Sequence, residues 1–388
     1  MEELYTQISE YLNTQQEEMV SLLKRIVNIE SGPDQPQGAN EILAIFKEEF
    51  DALGLASRVI EMENVGNVLV SEYTPEAVEN DRPIVLSGHM DTVFQAGVLE
   101  EHAFRETEDN FAKGAGIVDM KGGLVIALHT LKALIHTGYK KHPIKMLFIS
   151  DEETLHRYSN TNEVMLDELK GAAMLLNFEP ALKPEQMTVS RKGAAMVRLD
   201  VEGIAAHSGS GVTLGRSAIV EMSHKIIELE SETAIDRGKL INCGVIEGGV
   251  SSNTIPAHAK ANFSVRFPNQ ETKDEILKDF EKAVSTHHIE GTSTRYEIEG
   301  LLEAMELTEE GEQLADHFIA VGAECGYGEL EKYQSEGASD ASLGVLAGVP
   351  TLCGMGVVGE GAHTMEEMAD LDSLVKRTLL AASGISTY

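Results

Sequence analysis

Apolar residues recur at helical spacing through the first thirty positions (Leu4, Ile8, Leu12, Met19, Leu22, Leu23, Ile26), and Gly32-Pro33 closes that pattern. A second helix is predicted through Ile42, Phe46, Phe50 and Leu53, ending at Gly54. Four short apolar runs stand out at 84–86, 146–149, 174–176 and 351–352. Runs this short and this apolar read as strands covered on both faces. Between the first two, 124–135 is apolar enough for a buried helix, and Gly138 ends it. Strands alternating with helices predict an α/β fold with a mainly parallel sheet and helices on both faces.

The rhythm changes near Gly193. Met196, Val197, Leu199 and Val201 alternate with polar residues, as in a strand with one wet face. An amphipathic helix follows through Ile219, Met222, Ile226, Ile227 and Leu229. Strands at 240–246 and 259–267, a helix over 271–284 and a strand at 294–298 complete the unit. The order β-α-β-β-α-β describes a ferredoxin-like α+β sandwich, inserted into a larger domain whose patterns resume after it. The expected organisation is a first part at 1–193, the insert at 194–302 and a second part at 303–388. A chain of 388 residues also exceeds what one core usually organises.

Composition narrows the function classes. Acids outnumber bases by 64 to 31, a formal charge of −33. Such a surface repels phosphate backbones and anionic headgroups, so neither nucleic acid nor membrane is an expected partner. An anionic substrate must instead be caught by a few local cations. Cys243, Cys325 and Cys353 are odd in number and widely spaced, which argues for a reducing compartment and against a disulfide framework. The first residues show no signal-peptide pattern and no apolar run is long enough to span a bilayer. The expected setting is cytoplasmic.

Each predicted strand of the large domain runs into groups that bind metal or move protons: Ser87-Gly88-His89-Met90-Asp91, Ser150-Asp151-Glu152-Glu153 and Asn177-Phe178-Glu179. A fourth segment leads from Gly356 to Ala362-His363, and an acid sits in the glycine-flanked run Gly116-Ile117-Val118-Asp119-Met120-Lys121-Gly122-Gly123. Ligands of open α/β sheets bind outside the carboxyl ends of the strands, so these groups have a common place to meet. Imidazoles with carboxylates suit zinc or a related divalent ion. Taken singly, an acidic pair or a lone histidine carries little weight; the remaining histidines, His102, His129 and His156 among them, read as surface or satisfied core residues.

With Thr92-Val93 after Asp91, Pro180 after Glu179, Ala206-His207-Ser208-Gly209 and Val250-Ser251-Ser252-Asn253-Thr254-Ile255-Pro256 in the insert, these motifs resemble the zinc metallopeptidases that include glutamate carboxypeptidase, acetylornithine deacetylase, succinyl-diaminopimelate desuccinylase and peptidase T. The resemblance covers nearly the whole chain. It implies a hydrolase with two zinc ions, cobalt or manganese being alternatives. Asp119 would bridge the ions, His89 and Glu179 holding one, Glu153 and His363 the other. It implies Glu152 as general base and Asp91 as the acceptor that orients His89. The insert would be a lid and dimerisation domain, making a homodimer in which His207 and Asn253 stabilise the oxyanion or clamp substrate. Arg266 would bind a substrate carboxylate, its structural alternative being an exposed strand charge. Gly337 and Asp340 match a substrate-contacting turn. Expected substrates are small peptides cleaved beside a free carboxylate, or N-acyl amino acids; a non-catalytic metal-binding member is a further alternative. The chain departs from the family at Thr154-Leu155-His156-Arg157-Tyr158, where a Gly-Ser turn is usual. Gln186 and Gly300-Leu301 stand where the glutamate carboxypeptidase branch has a lysine and an arginine.

Overall fold

The computed structural model describes residues 1–388. The chain forms two compact units, one from Met1–Ser190, Leu307–Ser335 and Ser339–Tyr388, the other from Arg191–Glu306 with Glu336–Ala338.

The first unit is α/β. Its sheet contains β1 (Ala56–Ile60), β2 (Val68–Tyr73), β3 (Ile84–His89), β4 (Ile144–Ile149), β5 (Met174–Asn177) and the short strand Thr351–Leu352, in the order β1-β2-β4-β3-β5-351–352. The last four in that order are mutually parallel, and they contain the four apolar runs. β1 and β2 add an antiparallel edge, so the sheet is mixed. That edge escapes the pattern because β1 is largely solvent-exposed and β2 turns polar halfway along. In the parallel part, His89 pairs with Ile149, and Ser87 with Asn177. With that register β3 and β4 end level while β5 ends opposite Ser87, and the residues after the three strands emerge along one rim.

The single N-terminal helix expected from the pattern is two, α1 (Glu2–Asn13) and α2 (Gln16–Val27). The Thr14 hydroxyl donates to the Tyr11 carbonyl at 2.6 Å, a local bond that competes with the helix ladder. The helix α3 (Pro36–Ala52) ends before Gly54, whose φ of +81° suits glycine. Covering the sheet, α4 (Gly122–His136) buries Leu124, Val125, Ile126, Leu128 and Leu131 completely. Phe148 of β4 meets Phe46 and Phe50 of α3 at centroid distances of 5.0 and 5.6 Å. Each such side chain contributes about 1.5–3 kcal/mol by leaving water. The start of α4 approaches the exit of β5 so closely that a Cβ on Gly123 would collide with the Phe178 carbonyl oxygen. Glycine is required there, which brings the 116–123 segment down onto the strand ends.

The second unit is a four-stranded antiparallel sheet, β6 (Gly193–Glu202), β7 (Leu240–Gly248), β8 (His258–Phe267) and β9 (Ser293–Leu302), ordered β7-β8-β6-β9. Its helices are α5 (Ala218–Ser231) and α6 (Gln270–Ser285). Ser217 and Asn269 cap them by accepting from the amides of Val220 and Thr272. Alternate residues of β6 (Ala195, Val197, Leu199, Val201) join Phe263, Phe267 and Phe280 in a separate core. The edge strand β7 leaves Val245 and Ile246 exposed, and α5 does the same with Val220 and Ile227. No helix of either unit is long and apolar enough to cross a membrane.

Candidate active site

His89 ends β3 and is buried. Its Nδ1 lies 3.0 Å from the Asp91 backbone carbonyl and 3.4 Å from the Asp91 carboxylate. The main chain is thus the nearer acceptor. The Asp91 carboxylate also accepts from the backbone amides of Glu152 and Glu153, at 3.3 and 3.0 Å. With Nδ1 so engaged, His89 Nε2 points at Asp119 Oδ1 (3.1 Å) and Glu179 Oε1 (3.5 Å).

Asp119 lies on the segment that leads into α4. The Glu367 carboxylate, fully buried, accepts from the backbone amides of Gly116, Val118 and Asp119 at 2.8–3.0 Å. Lys121, also buried, donates to the Ile29 carbonyl at 2.8 Å, and burial pulls its ammonium down to about 7. The loop is therefore held at several points, and it presents both Asp119 oxygens: Oδ1 to His89 and Oδ2 to His363 Nε2, each at 3.1 Å. His363 also lies 3.3 Å from Glu153 Oε2 and takes a left-handed backbone (φ 66°).

Two trios result, His89–Asp119–Glu179 and Asp119–Glu153–His363. Within each, one ligand atom per residue lies within 4.8 Å of the others, and Asp119 belongs to both. Three carboxylates and two imidazole nitrogens facing one small volume need positive charge. In the protein alone the imidazoles supply it: Asp119 and Glu153 push His363 up to about 11. His89 stands well above its ordinary value, burial opposing while Asp119, Asp91 and Glu179 outweigh it. Asp119 is held well below the usual carboxylate range although burial resists, because both imidazoles bond to it. Burial and the Asp119 charge push Glu153 up to about 7, and its Oε1 is buried with no hydrogen-bond partner. Nitrogen and oxygen donors, a shared carboxylate and an orphaned buried oxygen fit two divalent cations. Glu152 belongs to neither trio. Burial raises its pKa well above the ordinary value, and the charges of Glu179, Asp340 and Glu153 add to that while His89 opposes.

In the second unit, the short strands Ala206–His207 and Thr254–Ile255 pair antiparallel, with His207 opposite Thr254. That pairing brings His207 and Asn253 together: Ser208 N donates to the Asn253 carbonyl at 2.9 Å. His207 is exposed, and its Nδ1 accepts from the amides of Gly209 and Ser210 at 3.1 and 3.3 Å. The ring's proton is thereby left on Nε2. Arg266, near the end of β8, is half-buried rather than the exposed strand charge of the alternative reading. The Gly337 carbonyl accepts from Arg191 at 3.4 Å.

The sequence pattern gives no sign of Glu367, one of two adjacent acids in a chain full of them; only its three amide partners identify it. Two histidines also depart from their expected status. His102 and His129 are buried yet each leaves Nε2 without a hydrogen-bond partner, so neither is a surface nor a satisfied core residue.

Comparison with known proteins bears on the whole chain. The sequence model described as Peptidase family M20/M25/M40 matches residues 85–386. Carboxypeptidase G2 of Pseudomonas sp. (strain RS-16) is 28% identical over 373 residues, which is 95% of this chain and 88% of that protein. A succinyl-diaminopimelate desuccinylase of Wolbachia pipientis is 23% identical over 392 residues, 95% and 93% of the two chains. Among solved structures, a tripeptidase from Staphylococcus aureus superposes with a TM-score of 0.75 over 96% of this chain and 98% of that one, at 21% identity.

Proposed function

The chain belongs to peptidase family M20/M25/M40 and is a hydrolase, and from that premise we propose that it is a two-zinc enzyme cleaving an amide or peptide bond beside a free carboxylate. The observation that carries the proposal is Asp119, one carboxylate reaching an imidazole from each of its oxygens. His89 and Glu179 would hold one ion with it, and Glu153 and His363 the other. Cobalt or manganese suits the same donors. Bound there, the ions would acidify a water and polarise the scissile carbonyl.

The remaining work falls to the chain's own residues. Glu152 adjoins a ligand without being one, and its raised proton affinity suits a group that takes a proton from the attacking water and passes it to the leaving amine. Asp91 fixes the turn that carries Glu152. In the second unit, acting as lid, His207 and Asn253 serve the oxyanion; the Nε2 proton of His207 is the donor such a role needs. Arg266 pairs with the substrate carboxylate, and Gly337 lies in the substrate-contacting turn. His207 comes from the partner in a homodimer formed through the lid, whose exposed β7 edge with Val245 and Ile246 leaves a strand free to pair. Three free thiols suit a cytoplasmic setting. An N-acyl-amino-acid deacylase would use the same metal trios, and the relative named a desuccinylase favours keeping that second reading.

Hydrolysis of dipeptides, folyl-type glutamates and N-acyl amino acids, assayed with zinc, cobalt and manganese, tests the proposal. Amidating the substrate carboxylate should reduce kcat/KM by about 1.5–3 kcal/mol, the worth of a hydrogen bond to a charged group. Arg266→Ala should lose as much on the free acid and little more on the amide. Equal rates on acid and amide would refute the carboxylate pocket.

A further inference from the structure

After its acidic pair this chain lacks the Gly-Ser turn usual in the family it resembles, and it turns instead through Leu155 and His156, both at φ 54°. That left-handed backbone is cheap for glycine and costly for a side chain unless the surroundings hold it. For His156 the surroundings are specific. Its ring is buried, with Nδ1 3.0 Å from Asp151 Oδ1 and Nε2 2.6 Å from Asp340 Oδ1. Ser159 donates its hydroxyl to the other Asp151 oxygen. Burial disfavours charge on His156, yet Asp340 and Asp151 outweigh it, so the ring is a cation donating both N–H groups to two anions.

The two acids belong to different segments. Asp151 opens the turn that carries Glu152 and Glu153, a turn closed by Leu155 N on the Glu152 carbonyl (2.7 Å) and His156 N on the Asp151 carbonyl (3.2 Å). Asp340 heads the helix Ala341–Leu346, and it is buried. On its other side the same turn is gripped by the Asp91 carboxylate. Without the His156 ring, Asp151 and Asp340 would face each other as buried anions and the turn would lose one of its two anchors.

We propose that His156 is a positioning residue, locking the turn that bears Glu152 and Glu153 against the Asp340 segment through its Asp151–His156–Asp340 bridge. This rests on the two-ion hydrolase reading above. Because Glu153 belongs to one metal trio only, loosening the turn acts on one ion and on the general base, and spares the trio of His89 and Glu179.

The experiment uses full-length, metal-depleted protein titrated with zinc chloride against a chromophoric chelator, alongside steady-state kinetics at saturating zinc. His156→Ala should weaken one zinc ion at least about tenfold and leave the other within about threefold. Its kcat should fall at least about tenfold while KM stays within about threefold. His156→Gln, which keeps an N–H donor, should recover part of both losses. His156→Ala with Asp340→Asn should lose no more than His156→Ala alone, as members of one unit do. Unchanged affinity for both ions, or parallel loss of both with a lowered Tm, would overturn the proposal and leave His156 a core residue. If His156→Ala does not fold, the same titration of His156→Gln and of Asp340→Asn decides. If the wild type binds two zinc ions but hydrolyses none of the substrates, the hydrolase reading fails while the zinc arm still judges His156.

Discussion

Glu152 and Glu153 are chain neighbours whose side chains meet different company. Glu153 stands 3.3 Å from His363 Nε2, whereas Glu152 stays outside both trios. Glu152→Gln should leave metal content nearly intact and cut turnover at least about a hundredfold, the usual scale for a lost general base. Glu153→Gln should instead lower metal occupancy. Elemental analysis and kcat, measured on both variants, separate the two roles; persistent activity in Glu152→Gln would remove its assignment. His129 invites a test of another kind. Burial in α4 pulls its imidazole down to about 4, against the Val125 carbonyl that accepts its Nδ1 proton at 3.0 Å, and Glu18 at 3.8 Å is too far to bond Nε2. The unfolded imidazole titrates near 6.5. Between about 6.5 and 4 the unfolded chain binds a proton that the folded chain refuses, so stability falls as pH falls through that window. From pH 7 to 5 this residue alone should cost about 2 kcal/mol. His129→Leu should lose correspondingly less over the same interval by urea denaturation, and equal losses would show that His129 does not titrate this way.

Among elements, the 116–121 segment shows how a loop is fixed by contacts from distant parts of the chain. Three amides close on Glu367, Lys121 is tied to Ile29, and Gly123 lets α4 seat on the end of β5. Glu367→Gln replaces one acceptor oxygen by a donor facing amides that also donate. Since Asp119 belongs to both trios, this change should weaken both ions together, by at least about tenfold in zinc titration, unlike Glu153→Gln. Selective loss of one ion would mean that Glu367 does not act through Asp119. Such supports were not legible in the sequence, because a carboxylate that accepts main-chain amides 248 to 251 residues away leaves no local pattern. What was legible is what has a period or a run. The four parallel strands are built around buried apolar runs, and β6 and β8 of the second unit alternate between buried and more exposed residues, so burial itself wrote them. The antiparallel β1–β2 edge, exposed and half polar, offered neither signal. The break at Thr14, where a hydroxyl bonds the Tyr11 carbonyl, leaves no mark in the apolar period. Site residues at the ends of buried strands were readable for the same reason as the strands, while the bridging character of Asp119 rested on resemblance and took geometric form only with His363 beside it.

For the molecule as a whole, the proposed homodimer makes a prediction that no single-chain assay can. If His207 serves the partner's site, inactive Glu152→Gln chains mixed with inactive His207→Ala chains should regain activity, since one site of each hybrid is intact. The regain should depend on subunit exchange, and sedimentation should report at least a dimer. A monomer with full activity would end the idea. The first unit has a further property, set by its discontinuity. Its segments are Met1–Ser190, Leu307–Ser335 and Ser339–Tyr388, with the whole second unit between them. His89, Asp119, Glu153 and Glu179 all leave the ribosome early, and His363 follows only after the insert has been made. At about 5–20 residues per second, the gap between Glu179 and His363 lasts roughly ten to forty seconds. During that interval the nascent chain lacks both His363, the imidazole of the second trio, and Glu367, the carboxylate that holds the amides of Gly116, Val118 and Asp119. The shared Asp119 thus gains its support and its second imidazole only once the segment after the insert has been made, so the second unit is synthesised before the site can be completed.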